Sequence, residues 1–129
     1  MAAWKVLLTD GLEENGQAIL RESAELSNRS GISADELLQV IGEYDALIVR
    51  GRTKVTPAVM EAAKNLKVVG RAGVGVDNID LAAAKERGIT VVNSPIATTL
   101  AVAELTLGMM LAAVREIPRA DASMKAGKW

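Results

Sequence analysis

Leu66-Lys67-Val68-Val69-Gly70-Arg71-Ala72-Gly73-Val74-Gly75-Val76-Asp77-Asn78-Ile79-Asp80 is an apolar run that breaks into glycines and leads into a helix-like segment. A strand ending this way presents bare backbone N–H groups, which suit an anion and equally suit a tight strand-to-helix turn. The spacing is not that of a dinucleotide turn. Counting G-x-G-x-x-G from Gly73 and Gly75 puts Asn78 in place of the third glycine. The acidic residue expected about 20 positions on is missing too, and Asn93 lies in that neighbourhood. The stretch therefore reads as a strand-turn-helix unit whose turn is an anion cradle of another kind or a turn alone.

Outward from this unit the same rhythm repeats. Lys5 to Leu8 reads as a strand, about Leu12 to Arg21 as a helix, and Glu25-Leu26 as a weak strand. Ser33-Ala34-Asp35-Glu36 has the form of a capping box, and its helix should end near Gly42. Ala46-Leu47-Ile48-Val49-Arg50 is a continuous apolar run, as a strand buried on both faces should be. Thr56-Pro57 opens a helix to about Asn65; Val68 to Arg71 is a strand, Asp80 to Arg87 a helix, Gly88 its stop and Ile89 to Val92 a strand. These units predict an α/β fold, a flavodoxin-like doubly wound parallel sheet of five strands.

The character changes after Asn93-Ser94-Pro95, which divides the chain into residues 1–95 and 96–129. Between Ile96 and Val114 the only charge is Glu104. A mid-span acid and three threonines argue against a membrane span, so a long helix buried on every face is expected. Glu104 in that setting should be a buried carboxylate satisfied by backbone donors or an arginine. A second, polar helix should run from about Pro118 to Ala126 and end at Gly127-Lys128-Trp129.

Composition sets limits on chemistry. In 129 residues, half of them apolar, there is room for a real core. Fifteen basic residues against 16 acidic ones give no electrostatic reason to expect nucleic acid. Zero Cys removes disulfides, thiolate nucleophiles and cysteine metal sites, and no metal site is expected. The Met1 start shows no signal-like segment, so a cytoplasmic, soluble protein is expected. Zero His is the sharpest exclusion, because proton transfer near neutral pH most often uses imidazole. No catalytic residue is assigned to this chain.

Binding residues are another matter. Arg50 and Arg71 fall at the carboxyl ends of neighbouring strands, the edge at which open α/β sheets take ligands. Arg52 and Lys54 follow in the loop, where they either join the anion site or are solvated surface charges. Asp77, Asn78 and Asp80 read as structural Asx residues that cap the next helix and brace the turn.

The strings GRAGVGVDNIDLAAAKERGITVVNSP from Gly70, KVLLTD from Lys5, LIVRGRTKVT from Leu47 and AVAELTLGMMLAAVREIPRADASMKAGKW from Ala101 resemble the D-2-hydroxyacid dehydrogenases. The resemblance is to the substrate-binding part, and within the family to the branch acting on a small phosphorylated 2-hydroxy acid. It implies an NAD-dependent oxidoreductase whose complete subunit continues into a Rossmann domain that holds most of the NAD and supplies catalytic Arg, Glu and His. It implies that Arg50 and Arg71, with Arg52 less securely, hold the substrate's phosphate. Backbone groups of Gly73, Val74 and Gly75 would hold its carboxylate. Val74, Thr98 and Val102 match positions at the nicotinamide end, and cap and core roles for Thr98 and Val102 stand equally open. Residues 96–129 would be interdomain helices that pair subunits into a homodimer or higher oligomer.

Within the family the resemblance leaves a sister dehydrogenase of the glyoxylate/hydroxypyruvate reductase type as the alternative, and two other classes stand beside it. A phospho-receiver has the same sheet and an Asp like Asp10 after its first strand, but it needs an Asp and a Lys where this chain has Arg50 and Asn93. A non-catalytic ligand-binding or assembly module needs no chemistry at all.

Overall fold

The computed structural model describes residues 3–128, so the readings made from Met1 and Trp129 lie outside the described residues. The chain divides into two compact units, residues 1–95 and 96–129. In the first, strands β1 (Trp4–Leu8), β2 (Ala24–Asn28), β3 (Ala46–Val49), β4 (Val68–Arg71) and β5 (Thr90–Asn93) alternate with helices α1 (Glu14–Arg21), α2 (Ala34–Val40), α3 (Pro57–Ala62) and α4 (Leu81–Glu86). A 3₁₀ turn, Ile41–Glu43, extends α2. The five strands run parallel in the order β2-β1-β3-β4-β5, the flavodoxin-like order, and the winding reverses between β1 and β3.

Local chemistry sets the helix ends. The Ser33 hydroxyl accepts the Glu36 N–H at 3.2 Å while the Glu36 carboxylate accepts the Ser33 N–H at 3.0 Å, the reciprocal pair expected of a capping box. Thr56 accepts the Val59 N–H, with Pro57 in the first turn of α3. Asp80 accepts the Ala83 N–H at 2.9 Å, and Gly88 closes α4 with φ of +68°. Helix α3 stops at Ala62, short of the expected Asn65, whose side-chain amide instead donates to the Gly42 carbonyl at 2.8 Å.

Alternate strand residues face opposite ways, and Leu7, Leu47, Val49 and Val69 are fully buried against Leu37, Ile41, Val59, Met60 and Ala84 from α2, α3 and α4. This layer fixes strand register, because a one-residue slip would turn those side chains outward. On the other face Leu20 of α1 borders a cavity of about 420 Å³ with Trp4, Val6, Ile48, Val68 and Val92.

The second unit holds α5 (Thr99–Val114) and α6 (Ile117–Lys125), joined through Glu116 in a left-handed conformation, φ +51°. It corrects the expectation of a helix covered all round. Leu100, Leu105, Leu107, Met109, Met110 and Leu111 are exposed, because apolar residues occupy every face of α5 and α6 is mostly polar. Glu104 is likewise exposed and has no ionic or hydrogen-bond partner among the described residues, not the satisfied buried carboxylate expected. At 16 residues α5 spans about 24 Å, and among the described residues no helix is long and apolar enough to cross a membrane.

Candidate functional site

The carboxyl ends of β1 and β3 meet at the reversal of winding, and Asp10 fills that crevice. One oxygen of its buried carboxylate, Oδ2, accepts the backbone N–H groups of Arg50 at 2.8 Å and of Arg52 and Thr53 at 3.1 Å each. The other, Oδ1, accepts the Thr53 hydroxyl at 2.7 Å and lies 3.4 Å from an Arg52 guanidinium nitrogen. Burial works to raise the Asp10 pKa, but the Thr53 hydroxyl, the Arg50 and Thr53 N–H groups and the Arg52 charge outweigh it and hold the carboxyl below its ordinary value. Asp10 is therefore an anion at neutral pH, seated in a nest of N–H groups.

The loop that wraps this carboxylate separates its arginines. Arg52, though half-exposed, is tied back to the chain, donating to the Thr9 carbonyl at 2.8 Å and the Ile32 carbonyl at 3.1 Å. Arg50 is exposed, and among the described residues its guanidinium has no partner. Of the two expected phosphate ligands on this loop, Arg52 is thus engaged in holding the fold. Lys54 and Arg52 border a largely apolar cavity of about 400 Å³ beside α2 and α3, lined also by Ile32, Leu37, Leu38 and Val59.

Arg71 ends β4, where its register partner on β3 is Val49, so Arg50 and Arg71 stand at adjoining strand ends. The Arg71 side chain folds back over Gly73. A Cβ at Gly73 would stand 1.7 Å from an Arg71 terminal nitrogen and 2.6 Å from its Cζ, and Gly73 has φ of +155°. The Arg71 Nε is buried without a hydrogen-bond partner. A shallow pocket of about 280 Å³ opens beside it, lined by Leu12, Ile48, Arg71, Asn93 and Ser94.

The glycine turn spends part of its hydrogen-bonding capacity internally. Gly73 N–H donates to the Arg71 carbonyl at 2.8 Å, the Gly73 carbonyl accepts the Ser94 N–H at 3.0 Å, and the Val74 carbonyl accepts the Asn93 amide at 2.6 Å. Among the described residues the N–H groups of Val74 and Gly75 find no acceptor, so two of the three expected carboxylate donors are free. Asn78, standing where a third glycine would be, donates its side-chain amide to the Thr53 carbonyl at 2.8 Å, and Val55 N–H donates to the Asn78 carbonyl at 2.8 Å. The turn does not suit a pyrophosphate, because the Asp80 carboxylate already takes the Ala83 N–H at the start of a six-residue helix.

In the second unit Thr98 precedes α5 without a side-chain capping bond; its carbonyl accepts the Val102 N–H at 2.9 Å. Val102 is exposed and its carbonyl accepts the Thr106 hydroxyl at 2.7 Å. Among the described residues no group of His, Cys, Asp or Glu is arranged to hold a metal ion. The sequence reading missed Asp10 and Thr53 as members of this site. The one available signal was an acid directly after the first strand, and its partners lie 40 to 43 residues away.

The chain is 55% identical over 125 residues to the D-3-phosphoglycerate dehydrogenase of Methanocaldococcus jannaschii, covering 97% of this chain and 24% of that protein. It is 48% identical over 130 residues to the hydroxypyruvate reductase of Thermotoga maritima, covering all of this chain and 42% of that one. The structure of the NAD+-bound 3-phosphoglycerate dehydrogenase of Entamoeba histolytica superposes with a TM-score of 0.71 at 28% identity, over 86% of this chain and 39% of that one. The chain thus spans less than half the length of these relatives. The model of the D-isomer specific 2-hydroxyacid dehydrogenase catalytic domain matches residues 6–125, and the chain belongs to that family.

Proposed function

We propose that this chain is the substrate-binding portion of an NAD-dependent D-3-phosphoglycerate dehydrogenase, which oxidises 3-phosphoglycerate to 3-phosphohydroxypyruvate, the first step of serine synthesis. The observation that supports it is one strand edge bearing the exposed Arg50, Arg71 and the unpaired N–H groups of Val74 and Gly75. Two guanidinium groups suit a phosphate dianion, and two neighbouring N–H groups suit a carboxylate. A substrate with an anion at each end would be held in one orientation, which is what hydride transfer from its C2 requires.

The cofactor is proposed to be NAD, which the Entamoeba relative binds. The turn after β4 does not suit a pyrophosphate, so the proposed part of this chain in the reaction is to bind and orient the hydroxy acid. Val74, Thr98 and Val102 are proposed to lie toward the nicotinamide end. Residues 1–95 are the proposed substrate domain and 96–129 the proposed interdomain and subunit-pairing helices of a cytoplasmic homo-oligomer. The catalytic Arg, Glu and His are proposed to come from a further domain, so no turnover is expected from this chain with NAD.

The test is an amide-shift titration with 3-phosphoglycerate against D-glycerate. Millimolar binding of 3-phosphoglycerate, about 4 kcal/mol, should perturb Val74, Gly75, Arg50 and Arg71. Equal shifts with D-glycerate would favour a hydroxypyruvate reductase, the second reading, which rests on the Thermotoga relative. No shift at Val74 and Gly75 with either compound would end both.

A further inference from the structure

We propose that Asp10 is a positioning residue for the phosphate arm of the site, its carboxylate holding the Arg50–Thr53 loop in the conformation that delivers Arg50 to the strand edge. The inference rests on the reading that Arg50 meets the substrate's phosphate.

Arg50 has no side-chain partner of its own among the described residues, so nothing beyond its backbone sets where its guanidinium begins. That backbone is fixed by the 2.8 Å bond from its N–H to Asp10. The same carboxylate oxygen takes the N–H groups of Arg52 and Thr53, and a chain wrapped on one acceptor at three points has little freedom left. Two residues on, the Arg52 guanidinium is tied to the Thr9 and Ile32 carbonyls, and that leaves Arg50 as the guanidinium of the loop without a partner among the described residues. Without an acceptor at position 10, three N–H groups beside a buried strand end would have to find other partners, and the loop would move to supply them.

The geometry also says which replacement should succeed. In Asp10→Asn the side-chain oxygen can still accept the three N–H groups, and the new amide, which gives up the 3.4 Å pairing with the Arg52 guanidinium, can donate to the Thr53 hydroxyl, which accepts as readily as it donates. Asp10→Ala keeps none of this. Positioning by hydrogen-bond geometry therefore predicts rescue by asparagine, which a role resting on negative charge does not.

The test titrates the labelled chain with inorganic phosphate and with 3-phosphoglycerate at constant ionic strength and pH 7, with core amides of Leu7, Leu47 and Val69 reporting the fold. Asp10→Ala should bind about tenfold more weakly and Asp10→Asn within about twofold of the unmutated chain. On an Arg50→Ala background, Asp10→Ala should cause no further loss, since there is no guanidinium left to position. If Asp10→Ala loses its dispersed core amides, Thr53→Val carries the test, with a loss of about threefold that likewise vanishes on the Arg50→Ala background. A folded Asp10→Ala with unchanged affinity overturns the proposal, as does a loss that persists in full without Arg50. Arg50→Ala with unchanged affinity would instead remove the phosphate reading and this inference with it.

Discussion

Gly73→Ala should damage stability and anion binding together, through a single methyl group. The new Cβ would stand 1.7 Å from an Arg71 terminal nitrogen and 2.6 Å from its Cζ, so the guanidinium must leave its resting place. The φ of +155° is also one that L-residues rarely adopt, which adds about 1–3 kcal/mol of backbone strain. Moving a flexible guanidinium is cheap in itself, so the stability loss should stay near that backbone figure. Binding is affected differently. A charge-assisted hydrogen bond from Arg71 to a phosphate is worth about 1.5–3 kcal/mol, so an Arg71 forced aside should weaken 3-phosphoglycerate binding about ten- to hundredfold. Urea unfolding followed by tryptophan fluorescence measures the first effect and isothermal titration with 3-phosphoglycerate the second. Gly11→Ala is the control, since its Cβ meets nothing within 4 Å and no positive φ is involved. If Gly73→Ala unfolds at the same urea concentration and binds as before, the Arg71–Gly73 contact has no part in the site.

Asp10 should make the fold acid-sensitive. Its folded pKa is lowered, so its contribution is fully present above the unfolded value near 3.9 and disappears as pH falls through the lower folded value. The stability difference between the unmutated chain and Asp10→Asn should accordingly be constant from pH 7 to about 5 and shrink below about 4; a difference that does not change with acid would refute it. Leu47→Ala removes a fully buried side chain at the centre of the sheet and should cost about 2–5 kcal/mol in a chemical denaturation series. The exposed apolar residues of α5 should make the chain self-associate, so light scattering at micromolar concentration should give a dimer or larger species and Leu107→Glu should shift it toward monomer. A monodisperse monomer in the unmutated chain would contradict that.

Features carried by neighbouring residues were legible in the sequence. The Ser33–Glu36 capping box, the Thr56-Pro57 start and the Gly88 stop each lie within one helical turn, and all three are in place. The parallel five-stranded sheet followed from the alternation of strands and helices. The interior of the site was far less legible, because it is made by pairing across β1 and β3. Nothing near Asp10 in the sequence shows that it will accept N–H groups from residues 50, 52 and 53, and without that knowledge Arg52 looks as free as Arg50. Helix α5 failed in the opposite way. Its composition demanded cover on every face, but composition cannot say what supplies it.

Asn78 has a mechanical consequence. Its side chain holds the Thr53 carbonyl, its backbone carbonyl holds Val55, and the Asp80 N–H returns to the Val55 carbonyl at 3.0 Å, a short parallel bridge between the loop after β3 and the turn after β4. The segment bearing Arg50 and the segment bearing Gly73 to Gly75 are thereby riveted to each other. They should fluctuate as one block, with the Val55 and Asp80 amides exchanging with deuterium at a common slow rate. A rigid floor of this kind cannot close around a ligand by bending at this edge, and any closing motion has to come from whatever faces it.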